Sequence, residues 1–90
     1  MARVSVDPEE LRRFAKDLHK FNTELEQMLS QLNSRANELA RTWRDQEQKK
    51  FAEEMGQTMK VLSRFLETSH EHSKFLNKKA AHAEQYLNQR

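Results

Sequence analysis

The sequence predicts an all-α fold, an antiparallel hairpin of two long helices, and three observations support it. The chain has 90 residues with one Gly and one Pro, whereas the turns of a β-rich fold need many of both. It has no Cys, so no disulfide can brace a small core. Apolar residues recur at three- and four-residue intervals along most of the chain, which is the spacing of one helix face. We therefore expect one small helical domain over residues 1–90.

The first helix has a clear start signal. Asp7 is a favourable N-cap, Pro8 suits the first helical position, and Glu10 stands where a capping box needs an acidic side chain. Val6 and Leu11 have the spacing of a hydrophobic staple. Together these residues predict a first helix that begins near residue 7 and ends near residue 41.

Two apolar seams of different phase predict the hairpin. Leu recurs every seven residues from Leu11 to Leu39, with Phe and Met at the interleaved positions, and apolar spacing then resumes at Phe51 with its phase moved by roughly 200°. A straight helix cannot keep both seams on one side, so the chain must turn between them. We expect the two helices to pack together through Leu11, Phe14, Leu18, Phe21, Leu25, Met28, Leu32, Leu39, Phe51, Met55, Leu62, Phe65 and Leu76.

The turn is predicted at residues 42–45, followed by a second helix over about residues 45–87. A new N-cap is available either from Thr42 with Asp45 or from Asp45 with Gln48.

Gly56 is the alternative position for the turn. A break there would leave residues 46–53 as a helix without an apolar face, so we interpret Gly56 as an interior Gly that costs about 1 kcal/mol. Folding at residues 42–45 pairs residues whose numbers add to about 90, for example Leu25 with Phe65.

A second apolar stripe runs one position beyond the first seam on each helix. Two helices alone do not need so wide an apolar surface. We expect another hairpin to cover it, which gives a four-helix bundle of two chains, either a homodimer or a heterodimer. The residues expected to contact that partner are Ala15, Leu29, Ala36, Met59 and Leu66.

The charge pattern argues against nucleic acid as a partner. Lys and Arg number 16 and Asp and Glu number 14, a net charge of +2, and the two signs alternate along the chain instead of gathering on one face. No apolar run has the length of a membrane span or of a signal-peptide core. We therefore expect no direct membrane insertion, and any export requires dedicated machinery.

Neither a metal site nor a catalytic site is expected. The helical spacings that bring two His ligands onto one ion are absent among His19, His70, His72 and His82. The carboxylates lie on faces expected to be solvated, and a two-helix hairpin encloses no pocket that would desolvate a catalytic base. The sequence therefore predicts a non-enzymatic protein without cofactors.

The middle of the chain resembles a known family. Trp43 lies at the turn, outside both seams, and Phe51 follows eight residues later in Trp43-Arg44-Asp45-Gln46-Glu47-Gln48-Lys49-Lys50-Phe51. With the chain length and the two helices, this Trp-centred turn resembles the WXG family of ESAT-like proteins linked to type VII secretion. Two positions differ from the family pattern. Asp45 replaces the Gly two residues after the Trp, and Arg90 stands four residues after Tyr86, where the family's export signal has an acidic residue.

The resemblance implies a function in protein association. It implies that the chain pairs with itself or with a second hairpin and acts as a substrate, adaptor or chaperone-like partner of a type VII-like secretion system. The ATPase of that system is a further expected partner, and the protein would be secreted or would lie in the cytoplasm before export. The alternative interpretation is an intracellular coiled-coil adaptor or regulator that joins a cytoplasmic partner and is not exported.

Overall fold

The protein is a hairpin of two antiparallel α-helices in the computed structural model, which describes residues 6–88. Helix α1 spans Pro8–Thr42 and helix α2 spans Gln46–Leu87. The sequence analysis expected helices over about 7–41 and 45–87. The predicted all-α hairpin is confirmed, because two long helices account for nearly all of the described chain and pack against each other.

The start of α1 uses its capping residues in part as predicted. The Asp7 carboxylate accepts a hydrogen bond from the Glu9 backbone N–H at 2.9 Å, and Pro8 occupies the first helical position. The Glu10 side chain does not complete the predicted capping box. Its carboxylate instead accepts from Arg13 Nη1, one helical turn along, at 2.6 Å, because an i, i+3 ion pair on an exposed helix competes for the same carboxylate.

The turn between the helices is built by two different caps. Trp43 ends α1 by donating its backbone N–H to the Leu39 carbonyl at 2.9 Å. Asp45 then begins α2, and its carboxylate accepts from the Gln48 backbone N–H at 3.0 Å. Of the two caps that the sequence left open, the structure uses Asp45 with Gln48. Thr42 instead donates its hydroxyl to the Leu39 carbonyl within α1.

Two buried hydrogen bonds define how the helices are aligned. The Ser69 hydroxyl donates to Asn22 Oδ1 at 2.7 Å, and the Ser73 hydroxyl donates to the Ala15 carbonyl at 3.2 Å. These partners have residue numbers that add to about 90, the alignment expected from the two seams. A buried polar layer of this kind stabilises less than an apolar one but favours one alignment over its neighbours.

The residues between the two helices are mostly small, which corrects the predicted division of the apolar stripes. Ala15 and Leu66, expected to contact a partner, are 1% and 7% exposed because they lie between α1 and α2. The other three expected partner residues, Leu29, Ala36 and Met59, are half-buried. Part of the stripe assigned to a second chain, Ala15 and Leu66, therefore packs within the hairpin itself.

Several residues assigned to the hairpin seam are correspondingly exposed. Phe14, Phe21, Met28, Leu32, Leu39, Phe51 and Phe65 are all exposed in the single hairpin, although the Phe21 and Phe65 rings contact each other across the two helices. Leu11, Leu18, Leu25, Met55, Leu62 and Leu76 are half-buried at the edge between the two stripes. The physical reason is that Ala and Ser allow two helix backbones to approach closely, so the bulky residues are displaced to one side.

The resulting molecule is a flat rod. Its dimensions are 69 × 19 × 12 Å, so it is one helix thick in its shortest direction. Within residues 6–88 Leu66, at 7% exposed, is the one Leu, Val, Met or aromatic side chain that is buried. A single layer of two helices therefore leaves each broad side of the rod open to a neighbour or to water.

Candidate interaction surface

One broad side of the hairpin is lined with bulky apolar side chains, and we call it the apolar face. Phe21 and Phe65 meet there across the two helices, with ring centroids 6.4 Å apart in an edge-to-face arrangement. Residues at three-, four- and seven-residue spacings from these two share the same side of their helices. The exposed members of the apolar face are Phe14, Phe21, Met28, Leu32, Leu39, Phe51, Val61, Phe65 and Phe75.

The apolar face contains a shallow groove of about 440 Å³ towards the open end of the hairpin. Phe14 and Leu18 of α1 and Phe65, Phe75 and Leu76 of α2 form most of its wall. Thr68, Ser69 and His72 complete it. Phe75 is 61% exposed at the groove edge, an unusual position for a Phe in a protein that works alone.

The opposite broad side, which we call the polar face, is held by charged pairs between the helices. The Arg12 guanidinium donates two hydrogen bonds to the Glu84 carboxylate. These bonds lower the pKa of Glu84 below its ordinary value and raise that of Arg12. His70 Nε2 lies 3.9 Å from Glu26 Oε2 on the same side. The polar face therefore carries polar contacts between the two helices, whereas the apolar face leaves its bulky groups in water.

The sequence contains a signal for two apolar stripes that the seam prediction did not use. Bulky apolar residues are adjacent in five places within residues 6–88; in Tyr86-Leu87 both residues are 44% exposed, and in the other four pairs the second residue is the more buried one. Phe65, for example, is 47% exposed while Leu66 is 7% exposed. Adjacent residues on a helix point about 100° apart, so one member faces the other helix and one faces outward. The four pairs are Met28-Leu29, Val61-Leu62, Phe65-Leu66 and Phe75-Leu76. Val61 and Phe75 belonged to neither predicted set.

The turn carries the two residues singled out by the sequence motif. The Trp43 ring is half-buried and lies 5.6 Å from the Phe51 ring, centroid to centroid. Both line a cleft of about 170 Å³ with Met55. Asp45 has φ of −94°, a conformation that any residue adopts, so the backbone does not require a Gly there. Asp at this position accepts a hydrogen bond from the Gln48 N–H, which with a Gly there would bond to water instead.

Other kinds of site are not found in the part of the chain that the structure describes. Residues 6–88 contain no group of three or more His, Cys, Asp or Glu side chains arranged to hold a metal ion. Neither helix, within those residues, is apolar enough over a sufficient length to span a bilayer. Tyr86 lies near the end of α2, and Arg90, the residue four positions later, lies outside the described residues.

The fold and the apolar face define the class: a small two-helix hairpin with one broad apolar side exposed. Comparison with known protein families agrees with the helical-hairpin class. The model of the WXG100 family, described as proteins of 100 residues with WXG, matches residues 3–86. The chain therefore belongs to this family of ESAT-like proteins of type VII secretion, and the predicted resemblance is confirmed. A search of curated proteins found no match.

Proposed function

We propose that this chain is a non-enzymatic association protein of a type VII-like secretion system, in which it serves as a substrate, adaptor or chaperone-like partner. Membership of the WXG100 family supports the secretion system, since the family consists of small helical secretion proteins that generally pair with helical partners. The observation that carries the proposal is the apolar face, whose exposed phenylalanines have no covering element within residues 6–88.

A second helical hairpin is the occupant that best fits the apolar face. The exposed residues run from Phe14 near the open end to Leu39 and Phe51 near the turn, so the partner must match most of the 69 Å length of the rod. A second copy has that length and presents the same apolar side chains, and two single-layer hairpins together make a four-helix bundle. We therefore propose a homodimer, with a different WXG-like hairpin as the other possible partner.

The turn is proposed as a second contact region, used by a larger component of the secretion system such as its ATPase. Trp43 is half-buried and stands at the tip of the rod, beside Phe51 at the end of the apolar face. A large, partly exposed aromatic ring is a common anchor at protein interfaces. Arg90 does not supply the acidic group of the family's export signal, so we propose that a partner carrying its own signal directs the export of this chain.

Sedimentation equilibrium tests the pairing. We expect the wild type to sediment at twice its chain mass of 10.8 kDa at tens of micromolar. Phe14→Glu, which places a charge in the apolar groove, should shift the population to single chains without loss of helicity. Lys20→Glu, on an exposed position outside the apolar face, is the matched control and should remain dimeric. A helical wild type that stays at 10.8 kDa would contradict the proposed homodimer.

Export from the native cell tests the secretion assignment. We expect a tagged chain to be lost from the culture medium when the secretion ATPase is deleted or when the partner hairpin is deleted, and Trp43→Ala to reduce export while the dimer persists. Retention inside the cell in every background would favour the intracellular adaptor instead. Export that survives deletion of every candidate partner but fails on substitution of Tyr86 would show that this chain carries its own signal.

A further inference from the structure

One charged residue, Arg35, interrupts the α1 side of the apolar face. Phe14, Phe21, Met28 and Arg35 follow one another at seven-residue intervals, and we call these four residues the α1 row. We propose that Arg35 selects the partner of the apolar face, because a hairpin seated there must present a carboxylate to its guanidinium, and that a second copy of the chain does so. The inference rests on the proposed pairing through the apolar face and names the charge that this pairing requires.

The position of Arg35 on the apolar face follows from the observed contact between Phe21 and Phe65. Those two rings meet across the helices with their centroids 6.4 Å apart. Arg35 lies two heptads after Phe21, and Phe51 lies two heptads before Phe65, so Arg35 and Phe51 occupy corresponding positions nearer the turn. The guanidinium of Arg35 therefore stands within the surface that a partner covers.

The Arg35 guanidinium has no partner in the single hairpin. Its side chain is exposed, and it forms no hydrogen bond or ion pair within residues 6–88. Arg12, by contrast, donates to Glu84 across the polar face. Water solvates the Arg35 guanidinium while the apolar face is open. A partner that covers Leu32 and Leu39, one helical turn to each side of Arg35, displaces that water, and an unpaired buried charge is then costly.

A second copy of the chain carries carboxylates along the edge of the apolar face. Asp17, Glu24 and Glu38 each follow a member of the α1 row by three residues, so they stand on one side of the helix, at the outer edge of that row. All three side chains are exposed, and none forms a hydrogen bond or an ion pair within residues 6–88. Gln31 occupies the position between Glu24 and Glu38, so this edge of α1 is acidic from residue 17 to residue 38.

The charges of two copies are therefore complementary. When two apolar faces pack together, the acidic edge of one copy flanks the interface that covers Arg35 of the other, and a guanidinium binds a carboxylate through two parallel hydrogen bonds. In a symmetric pair the same contact forms twice. A hairpin with Lys or Arg along the matching edge would place like charges together, which disfavours it as a partner.

Charge reversal tests the proposal, with the dissociation constant of the pair measured by sedimentation velocity. We expect Arg35→Glu to raise the dissociation constant roughly tenfold or more, because a carboxylate then faces a carboxylate at both contacts. Lys20→Glu, the same change of charge at an exposed position outside the apolar face, is the control and should change it less than about twofold. Arg35→Glu should then be combined in turn with Asp17→Lys, Glu24→Lys and Glu38→Lys. The combination that reverses the acid facing Arg35 should recover most of the lost affinity.

The outcomes separate this inference from the pairing on which it rests. The restoring acid-to-Lys change should by itself weaken pairing in the wild-type chain, so that the recovery belongs to the combination. If Arg35→Glu pairs as tightly as the wild type, or if no combination recovers affinity, the inference is wrong and the pairing stands. If the wild type does not associate at tens of micromolar, both proposals fail. Circular dichroism should show full helicity in every variant, and loss of helicity in Arg35→Glu would assign Arg35 to the fold of the single hairpin and overturn the inference.

Discussion

The two broad sides of this hairpin differ in the side chains they present and in what those side chains contact. On the polar face, Arg12 of α1 and Glu84 of α2 form an ion pair between the two helices. On the apolar face, the same two helices present Phe14, Phe21 and Phe65 to water. Both sides flank one narrow line of contact made largely of Ala and Ser side chains.

Under the proposed pairing, the difference teaches that folding and association depend largely on different residues. Small side chains between the helices hold the hairpin, and bulky ones beside them are available to a partner. Substitutions on the contact line should therefore change the free energy of unfolding of each chain, those on the apolar face should change association, and those on the polar face should change neither strongly. Each expectation can be tested independently.

The adjacent residues Leu66 and Phe65 give the largest expected contrast. Leu66→Glu buries an unpaired carboxylate between the helices and should lower the stability of the hairpin by at least about 3 kcal/mol, enough to unfold a small domain. Phe65→Glu, one position away, should leave helicity near wild type and abolish association. Circular dichroism of both variants measures their helicity, and sedimentation measures their association. Equal loss of helicity in the two would mean that the apolar face also holds the single hairpin.

Substitutions in the turn should change the free energy of unfolding of the hairpin without changing which of its faces binds a partner. Asp45→Ala removes the acceptor for the Gln48 N–H and should lower the free energy of unfolding by about 1 kcal/mol. Asp45→Gly, which restores the residue of the family motif, should cost only a few tenths of a kcal/mol. Thermal melts at fixed concentration measure both. A larger loss with Gly than with Ala would show that the carboxylate is not what matters at this position.

Gly56 offers an expected gain of stability. A methyl group built on Gly56 meets no atom within 4 Å, and its φ is not positive, so Ala fits without strain. Gly56→Ala should raise the free energy of unfolding by roughly 0.5–1 kcal/mol, because Ala restricts the unfolded chain and favours the helix. The dissociation constant should not change. A higher free energy of unfolding accompanied by weaker association would show that a partner approaches the helix backbone at this Gly.

The smallest expected effect is on the polar face and depends on pH. The Arg12 guanidinium holds the pKa of Glu84 below its ordinary value of 4.5, so this pair stabilises the fold above that pH and its contribution is lost as the pH falls below it. Glu84→Gln should therefore have a slightly lower melting temperature than wild type at neutral pH, and the two curves should converge in acid. A difference that persists or grows below pH 4.5 would contradict this assignment.

Much of this architecture could be predicted from local chemistry. Asp7 with Pro8, and Asp45 with Gln48, are short-range signals whose partners lie within one helical turn, so the limits of both helices were close to those observed. The change of phase between the seams required a turn for geometric reasons. The alignment of the helices followed once the turn was placed, and the Asn22–Ser69 hydrogen bond agrees with it.

The choice of which stripe faces which neighbour could not be predicted in the same way. Hydrophobic periodicity shows that a helix has an apolar side, but here each helix has two adjacent stripes, and periodicity does not say which one meets the other helix. Heptad spacing places the largest residues in the hairpin seam. Close approach of backbones through Ala15, Ala80 and Ala83 outweighs that preference.

The thinness of the rod has a thermodynamic consequence. In a molecule 12 Å thick, most side chains already touch water before it unfolds. Unfolding a single hairpin therefore exposes little new surface, so its heat capacity change should fall below the usual value of about 12–15 cal/mol/K per residue and its denaturant dependence should be shallow. Calorimetry at rising protein concentration would then show both quantities increase per chain, as the surface released on unfolding comes to include the apolar face as well as the narrow line between the helices.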